Sequence, residues 1–232
     1  MAKKQYFIII DTETTNDNQV FDFGAVVVDR QGNIHSSCAI IIKDNIGKEL
    51  FSDPTGKSFW SKNYATEKKN NYMEMLEKGN RMMASVNAVN RWLEKVNAKY
   101  EPIMTAYNVG FDQGKCANTG IDLTIFKSSF CLWHIACAVF AKTKSYKSFI
   151  LENHYFGNRT DKGNMTYKTN AEVMAHYVMG RHNEEPHTAL EDAQFFELPI
   201  LMAVIKKRNW KDNIGQAYSW RDYQMKDNFA AK

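Results

Sequence analysis

Long apolar runs are missing from this sequence: the longest, Phe7-Ile8-Ile9-Ile10 and Cys38 to Ile42, fall far short of the 18 or more residues that span a bilayer. The Met1-Ala2-Lys3-Lys4 start carries no apolar stretch of the kind a secretory signal needs, so a cytoplasmic protein with no membrane partner is expected. Cysteine is scarce. Cys38, Cys116, Cys131 and Cys137 are too few to scaffold a chain of 232 residues, and they lie mostly in apolar segments, as reduced core thiols do. An excess of one charge is lacking too, since 30 Lys and Arg against 26 Asp and Glu leave only +4. That balance permits a polyanionic partner without requiring one. Gly56-Lys57-Ser58 resembles the end of a phosphate-binding loop, but position 51 is Phe where the motif needs its first Gly, which excludes a nucleoside triphosphatase of that type.

What is present is an ordinary globular composition, 44% hydrophobic and 24% charged, which excludes a disordered or low-complexity chain. At about 150 residues per domain, the length fits one α/β unit enlarged by insertions. Such a chain buries roughly 70–75% of its unfolded surface and needs no disulfide or metal staple. Tyr6 to Ile10, Val20 to Asp29 and Ile34 to Ile42 read as three strands of an antiparallel meander, the last two joined by the turn Arg30-Gln31-Gly32-Asn33. Lys43 to Asn80 loses period and reads as a long insertion with one short helix, packed by Phe51, Phe59, Trp60, Tyr64 and Tyr72. Ser85 to Val96 is an amphipathic helix, with Val86, Val89, Trp92, Leu93 and Val96 three and four apart. Ile103 to Tyr107 and Phe130 to Ile135 read as strands, Asn153 to Thr169 as a loop, and Ala171 to Met179 and Thr188 to Ile205 as helices. The expected fold is α/β, with one domain over residues 1–205 and a basic, aromatic tail over 206–232. Docking of that tail, with its Trp210, Tyr218, Trp220 and Tyr223, is favoured over nucleic-acid binding.

Four acids and one histidine, in three separated segments, carry the chemistry. In Asp11-Thr12-Glu13 the two carboxylates are two apart, so on a strand they share a face and can grip a divalent cation. Asp112 follows Asn108-Val109-Gly110-Phe111 at a strand-to-helix junction. His187 stands just outside a helix that Thr188 and Glu191 would open as a T-x-x-E capping box, with Asp192 one turn in. The positive end of that helix favours the ionised form of Asp192. Taken singly, each has a plainer reading: Asp-Thr-Glu-Thr as a polar turn or cap, Asp112 as the cap of a helix starting near Gln113, His187 as a surface residue. The combination D-x-E, then N-x-x-F-D, then H-x4-D carries more weight than its parts.

On these motifs the sequence resembles the DEDDh branch of the DnaQ-like 3′→5′ exonucleases. The resemblance covers roughly Tyr6 to Ile205, extends to Phe21-Asp22-Phe23-Gly24-Ala25-Val26 and Asn170-Ala171-Glu172, and departs at Asn16 (usually Gly) and Tyr107 (often His). It implies a ribonuclease H-like fold: a mixed five-stranded sheet, antiparallel meander then parallel strands, flanked by helices. It implies two Mg²⁺ or Mn²⁺ ions, hard cations suited to oxygen donors, one on Asp11, Glu13 and Asp192, the other on Asp11 and Asp112. His187, with an unperturbed pKa of about 6.5, would deprotonate the attacking water. Thr14 and Thr15 are expected to touch the terminal nucleotide, and Asn108 and Phe111 to support the second motif beside the substrate. The implied activity releases nucleoside 5′-monophosphates from the 3′ end of single-stranded nucleic acid, DNA favoured. Its alternatives are an RNA-trimming exoribonuclease of the same chemistry and a non-catalytic nucleic-acid-binding module of this fold. Cys131, His134 and Cys137 lack paired zinc spacings and are expected to be core and edge residues.

Overall fold

The computed structural model describes residues 4–50, 71–160, 163–216 and 219–224. Strands β1 (Tyr6–Thr14), β2 (Val20–Asp29) and β3 (Ile34–Ile42) form the expected antiparallel meander. Beyond β1 the sheet continues with two parallel strands, β5 (Ile103–Ala106) and β6 (Ser129–Cys131). A sixth strand not foreseen from the sequence, β4 (Met82–Ala84), adds in parallel to β3. The resulting order, β4-β3-β2-β1-β5-β6, puts β1 inside the sheet. A meander extended by parallel strands and covered by helices is the ribonuclease H-like α/β arrangement.

Period-two alternation splits the central strands between two cores. Ile8 and Ile10 of β1, with Ala25 and Val27 of β2, face the layer of α2 (Val86–Tyr100) and α3 (Val109–Thr119). Phe7 and Ile9, with Val26 and Val28, face α4 (Leu132–Ala136), α6 (Ala171–Met179) and the C-terminal helices. With helices on both faces, β2 is buried at nine of its ten positions, which explains why it reads as a continuous apolar run.

Several boundaries differ from those expected. β1 runs on to Thr14, so Asp11 and Glu13 lie within the strand and not beyond its end. The segment Phe130 to Ile135 stops being a strand at Cys131. Its buried positions Leu132, Ile135 and Ala136 are spaced three and four apart, and they fold as α4 followed by a π-helical turn over Cys137–Ala141. Helix α5 (Lys144–Glu152) follows, opened by the Thr143 hydroxyl accepting from the Tyr146 N–H. Within the expected loop Asn153 to Thr169, β7 (Phe156–Arg159) and β8 (Met165–Tyr167) pair as a small antiparallel sheet. In the insertion, residues 71–77 form α1, whose buried Tyr72 packs edge-on against Phe21 at 5.1 Å. Phe51, Phe59, Trp60 and Tyr64 lie outside the described residues.

The segment expected as one helix from Thr188 to Ile205 has three parts: α7 (Ala189–Asp192), a π-helical turn over Ala193–Glu197, and α8 (Leu198–Ile205). In the π turn the Leu198 N–H reaches the Ala193 carbonyl, five residues back. Pro199 stands in the first turn of α8, where its missing N–H is tolerated and a regular α-helical bond to residue 195 is impossible. Past α8, Trp210 and Tyr223 are buried in the same core as Phe7 and Phe130. All four cysteines are free, three buried and Cys131 half-buried. No described helix is long and apolar enough to cross a membrane.

Candidate active site

Asp11 and Glu13 project from one face of β1, and across the antiparallel pair they stand opposite Gly24 and Asp22 of β2. Gly24 decides what covers that face. A Cβ there would lie 2.2 Å from the Ala189 carbonyl carbon, so only glycine lets the start of α7 rest on the strand. This close approach carries His187 and Asp192 down toward Asp11 and Glu13. The expected capping box is not what opens the helix. The first helical N–H, that of Ala189, donates 3.0 Å to Asp22 Oδ2, and the Thr188 hydroxyl donates 2.8 Å to Glu191 Oε2.

A buried arginine fixes this arrangement. Arg81 and Asp22 have fully buried side chains, with Nε 3.0 Å from Asp22 Oδ1 and Nη2 3.2 Å from Oδ2. The same guanidinium donates 3.1 Å from Nη1 to Glu191 Oε1 and also pairs through Nη2 with Glu191 Oε2. Burial pushes the Asp22 carboxyl up and Arg81 pulls it back, burial being the larger. At Glu191 burial is outweighed by the hydrogen bonds from Arg81 and Thr188, which hold its carboxyl below the usual range.

Donor atoms of Glu13, His187 and Asp192 lie within 4.8 Å of one another. His187 sits in left-handed backbone at φ 53°, a conformation uncommon outside glycine although histidine is enriched there. Asp11 and Asp112 are not members of this tight trio but lie beside it. Burial first, then the negative charges of Glu197, Asp192, Asp112 and Glu13, push the Asp11 carboxyl well above the ordinary range. Asp112 is not the cap of its helix: α3 starts at Val109, three residues earlier, and Asp112 is buried in its first turn. The Thr12 hydroxyl, on the opposite face of β1 from Asp11, donates 2.8 Å to Asp112 Oδ1. Burial pushes the Asp112 carboxyl up to about 7 against that hydrogen bond.

The other sequence-derived positions divide. Thr14 and Thr15 are both buried, at 4% and 0% exposure. Thr15 is spent on the turn after β1: its hydroxyl bonds Asp17 and, at 3.1 Å, the Gln19 carbonyl, and its N–H donates 2.9 Å to the same carbonyl. Asn108 is exposed in left-handed backbone just before α3, its carbonyl accepting from the Phe111 N–H at 2.8 Å. Phe111 is 43% exposed, with Lys115 Nζ 4.7 Å from its ring centroid. It is therefore a surface ring beside the acids and not a core residue.

Sequence reasoning missed Glu197. It ends the π turn, is buried at 2% exposure, and accepts a 3.0 Å hydrogen bond on Oε1 from the Tyr107 N–H. Its Oε2 is buried with no hydrogen-bond partner among the described residues. A lone acid within Phe195-Phe196-Glu197-Leu198 was the available signal, since buried acids are rare unless something compensates them. The donor set suits a hard divalent cation: carboxylate oxygens predominate, one imidazole stands at the edge, and Glu197 Oε2 is buried without a donor among the described residues.

No protein-family model matches the chain, and no curated protein matches it. Among solved structures, the chain is similar to exonuclease I in complex with inhibitor BCBP, with a TM-score of 0.48, 14% identity, and coverage of 90% of this chain and 43% of that one. It is also similar to E. coli exonuclease I in complex with a 5cy-dT13 oligonucleotide, with a TM-score of 0.48, 13% identity, and coverage of 90% and 42%. The chain thus spans less than half the length of either.

Proposed function

We propose that this protein is a metal-dependent 3′→5′ exonuclease of the DEDDh type, hydrolysing phosphodiester bonds at the 3′ end of single-stranded DNA or RNA to nucleoside 5′-monophosphates. The observation that carries the reading is the gathering of Glu13, His187 and Asp192, from segments more than 170 residues apart in sequence, onto one small patch beside Asp11 and Asp112. Asp11, Glu13 and Asp192 would hold one Mg²⁺ or Mn²⁺, and Asp11 with Asp112 a second. Bound there, such cations stabilise charge on the attacking and leaving oxygens of an in-line displacement.

The chain's own groups do the rest. His187, its imidazole among two carboxylates, accepts the proton of the attacking water, a role worth about 10²–10⁴-fold. Asp22 and Gly24 seat the helix start that aims it. The exposed ring of Phe111, with Lys115 over one face, offers a surface on which a terminal base can stack while the ammonium stays near phosphate. Matched 3′-labelled single-stranded DNA, duplex DNA and RNA, each with Mg²⁺, Mn²⁺ or EDTA, test the reading. Shortening from the labelled end with either cation and none with EDTA is the expected result. Products that shorten only from the 5′ end, or digestion that persists in EDTA, overturn it.

A further inference from the structure

The four-acid reading of the site leaves Glu197 unexplained. Its carboxyl is nearly inaccessible to solvent, one oxygen is bonded to the Tyr107 N–H, and the other faces no donor among the described residues. A carboxylate in that state carries a desolvated charge without compensation, a cost in free energy that native structures rarely leave unrecovered.

Its position says what recovers the cost. In the parallel pair of β1 and β5, Ile9 stands beside Thr105; Asp11 follows on β1, and Tyr107 is the first residue past the end of β5. The Tyr107 N–H therefore holds the Glu197 carboxyl at the end of the sheet where Asp11 lies. The electrostatics agree: among neighbouring charges, Glu197 acts most strongly on Asp11, and Asp112 most strongly on Glu197. The π turn explains how it gets there. In an α-helix, residue 197 would point about 140° round the cylinder from Asp192. The five-residue bond from Leu198 to Ala193 widens the turn and swings Glu197 back toward the Asp192 side, and such turns recur at functional sites.

The geometry points to Glu197 as a fifth carboxylate of the site, one whose Oε2 would join Asp11 and Asp112 in holding a divalent cation. This rests on the reading that the site takes divalent cations. A glutamine at 197 keeps an acceptor for the Tyr107 N–H and the same shape, and removes only the charge toward the cation. It therefore separates a ligand role from a merely structural one.

The test is a Mn²⁺ titration of the full chain by calorimetry, paralleled by the free-Mn²⁺ electron paramagnetic resonance signal, on wild type, E197Q and D11N. Metal-site neighbours typically change affinity by about 10–100-fold. E197Q is expected to bind Mn²⁺ at least about tenfold more weakly at the tighter or the weaker site, with an unchanged far-ultraviolet spectrum and a metal-free melting temperature no lower than wild type. Wild-type Mn²⁺ affinity and stoichiometry in E197Q would overturn the assignment. If the wild-type chain itself binds no Mn²⁺, the cation reading beneath it falls as well, and the two failures are told apart by which protein fails to bind. E197A, which also removes the acceptor for Tyr107, is expected to bind no more tightly than E197Q.

Discussion

Two buried charge clusters lie beside the paired strands β1 and β2 and are finished in opposite ways. In one, Asp22 and Glu191 share Arg81, and the Ala189 N–H adds a further donor. In the other, Asp11, Asp112 and Glu197 are buried among carboxylates, and every charge that acts most strongly on Asp11 is negative. The difference teaches what each is for. The first contains its own cation and is complete on folding, so its product is position: it fixes the helix start that carries His187 and Asp192. The second has the anions and, among the described residues, no side-chain cation acting on Asp11, and burial this costly is a mark of candidate functional sites.

The largest expected effect sharpens the contrast. Asp192→Ala or Asp11→Ala should reduce divalent-metal-dependent digestion of a 3′-labelled strand to background while leaving the metal-free melting temperature equal to or above that of wild type, because a like charge has been removed. Activity assays and calorimetry on the same preparations check both halves. Undiminished digestion in either variant breaks the assignment.

Next comes the opposite cluster. Arg81→Met strands Asp22 as a buried, unpaired carboxylate, and breaking such a pair costs about 3–5 kcal/mol, so denaturant unfolding should show a loss of that size with an unchanged m-value. Replacing Asp22 and Arg81 together by apolar residues of similar volume should recover much of that stability without recovering activity. If Arg81→Met leaves both stability and activity intact, the positioning role is wrong. Smaller in stability but diagnostic is His187→Ala, which should slow digestion by about 10²–10⁴-fold while leaving Mn²⁺ binding within a few fold of wild type.

How much of this contrast the sequence disclosed follows from what each cluster is made of. In the open cluster, strand alternation alone shows that Asp11 and Glu13 share a face, while Asp112 and Asp192 stood out only through the combined order of the three motifs and the family resemblance that order carries. The closed cluster was not legible, because Arg81 comes from the segment after the insertion and meets Asp22 59 residues away, a pairing that no local period encodes. Thr188 and Glu191 looked like a self-contained cap for the same reason. The box was read as local, whereas the tertiary partner Arg81 took Glu191 and left the helix N–H to Asp22. Glu197 escaped because 3.6-residue periodicity assumes an unbroken α-helix, and the π turn shifts the face on which it lands. The sheet was legible as far as its long strands went. β4, three residues long, carries too few alternations to register, and Leu132 to Ala136, expected to continue the strand that ends at Cys131, mixed β-compatible apolar residues with a helical spacing that packing selected.

The smallest effect probes the open cluster through protons. A carboxyl raised by burial binds its proton more tightly folded than unfolded, so the stability it contributes is complete below its unfolded value and is lost as pH rises through its folded one. For Asp112 that window runs from 3.8 to about 7, and Asp11 and Glu197 shift in the same direction. The metal-free protein should therefore lose stability between pH 5 and pH 8 from this cluster. His134 and His176, held below the ordinary histidine value first by burial, act with the opposite sign, since the unfolded chain takes up protons there as pH falls. A bare melting curve sums the two. The gain in melting temperature on adding Mg²⁺ in place of EDTA separates them, because histidines remote from the acids contribute equally to both arms and cancel. Cations compete with protons for the carboxylates, so that gain should be small at pH 5.5 and larger at pH 8 by roughly 5 °C, and Asp112→Asn should flatten the difference. An Mg²⁺ gain of the same size at both pH values would mean that the buried acids do not trade protons for cations, and the two clusters would then differ in composition without differing in purpose.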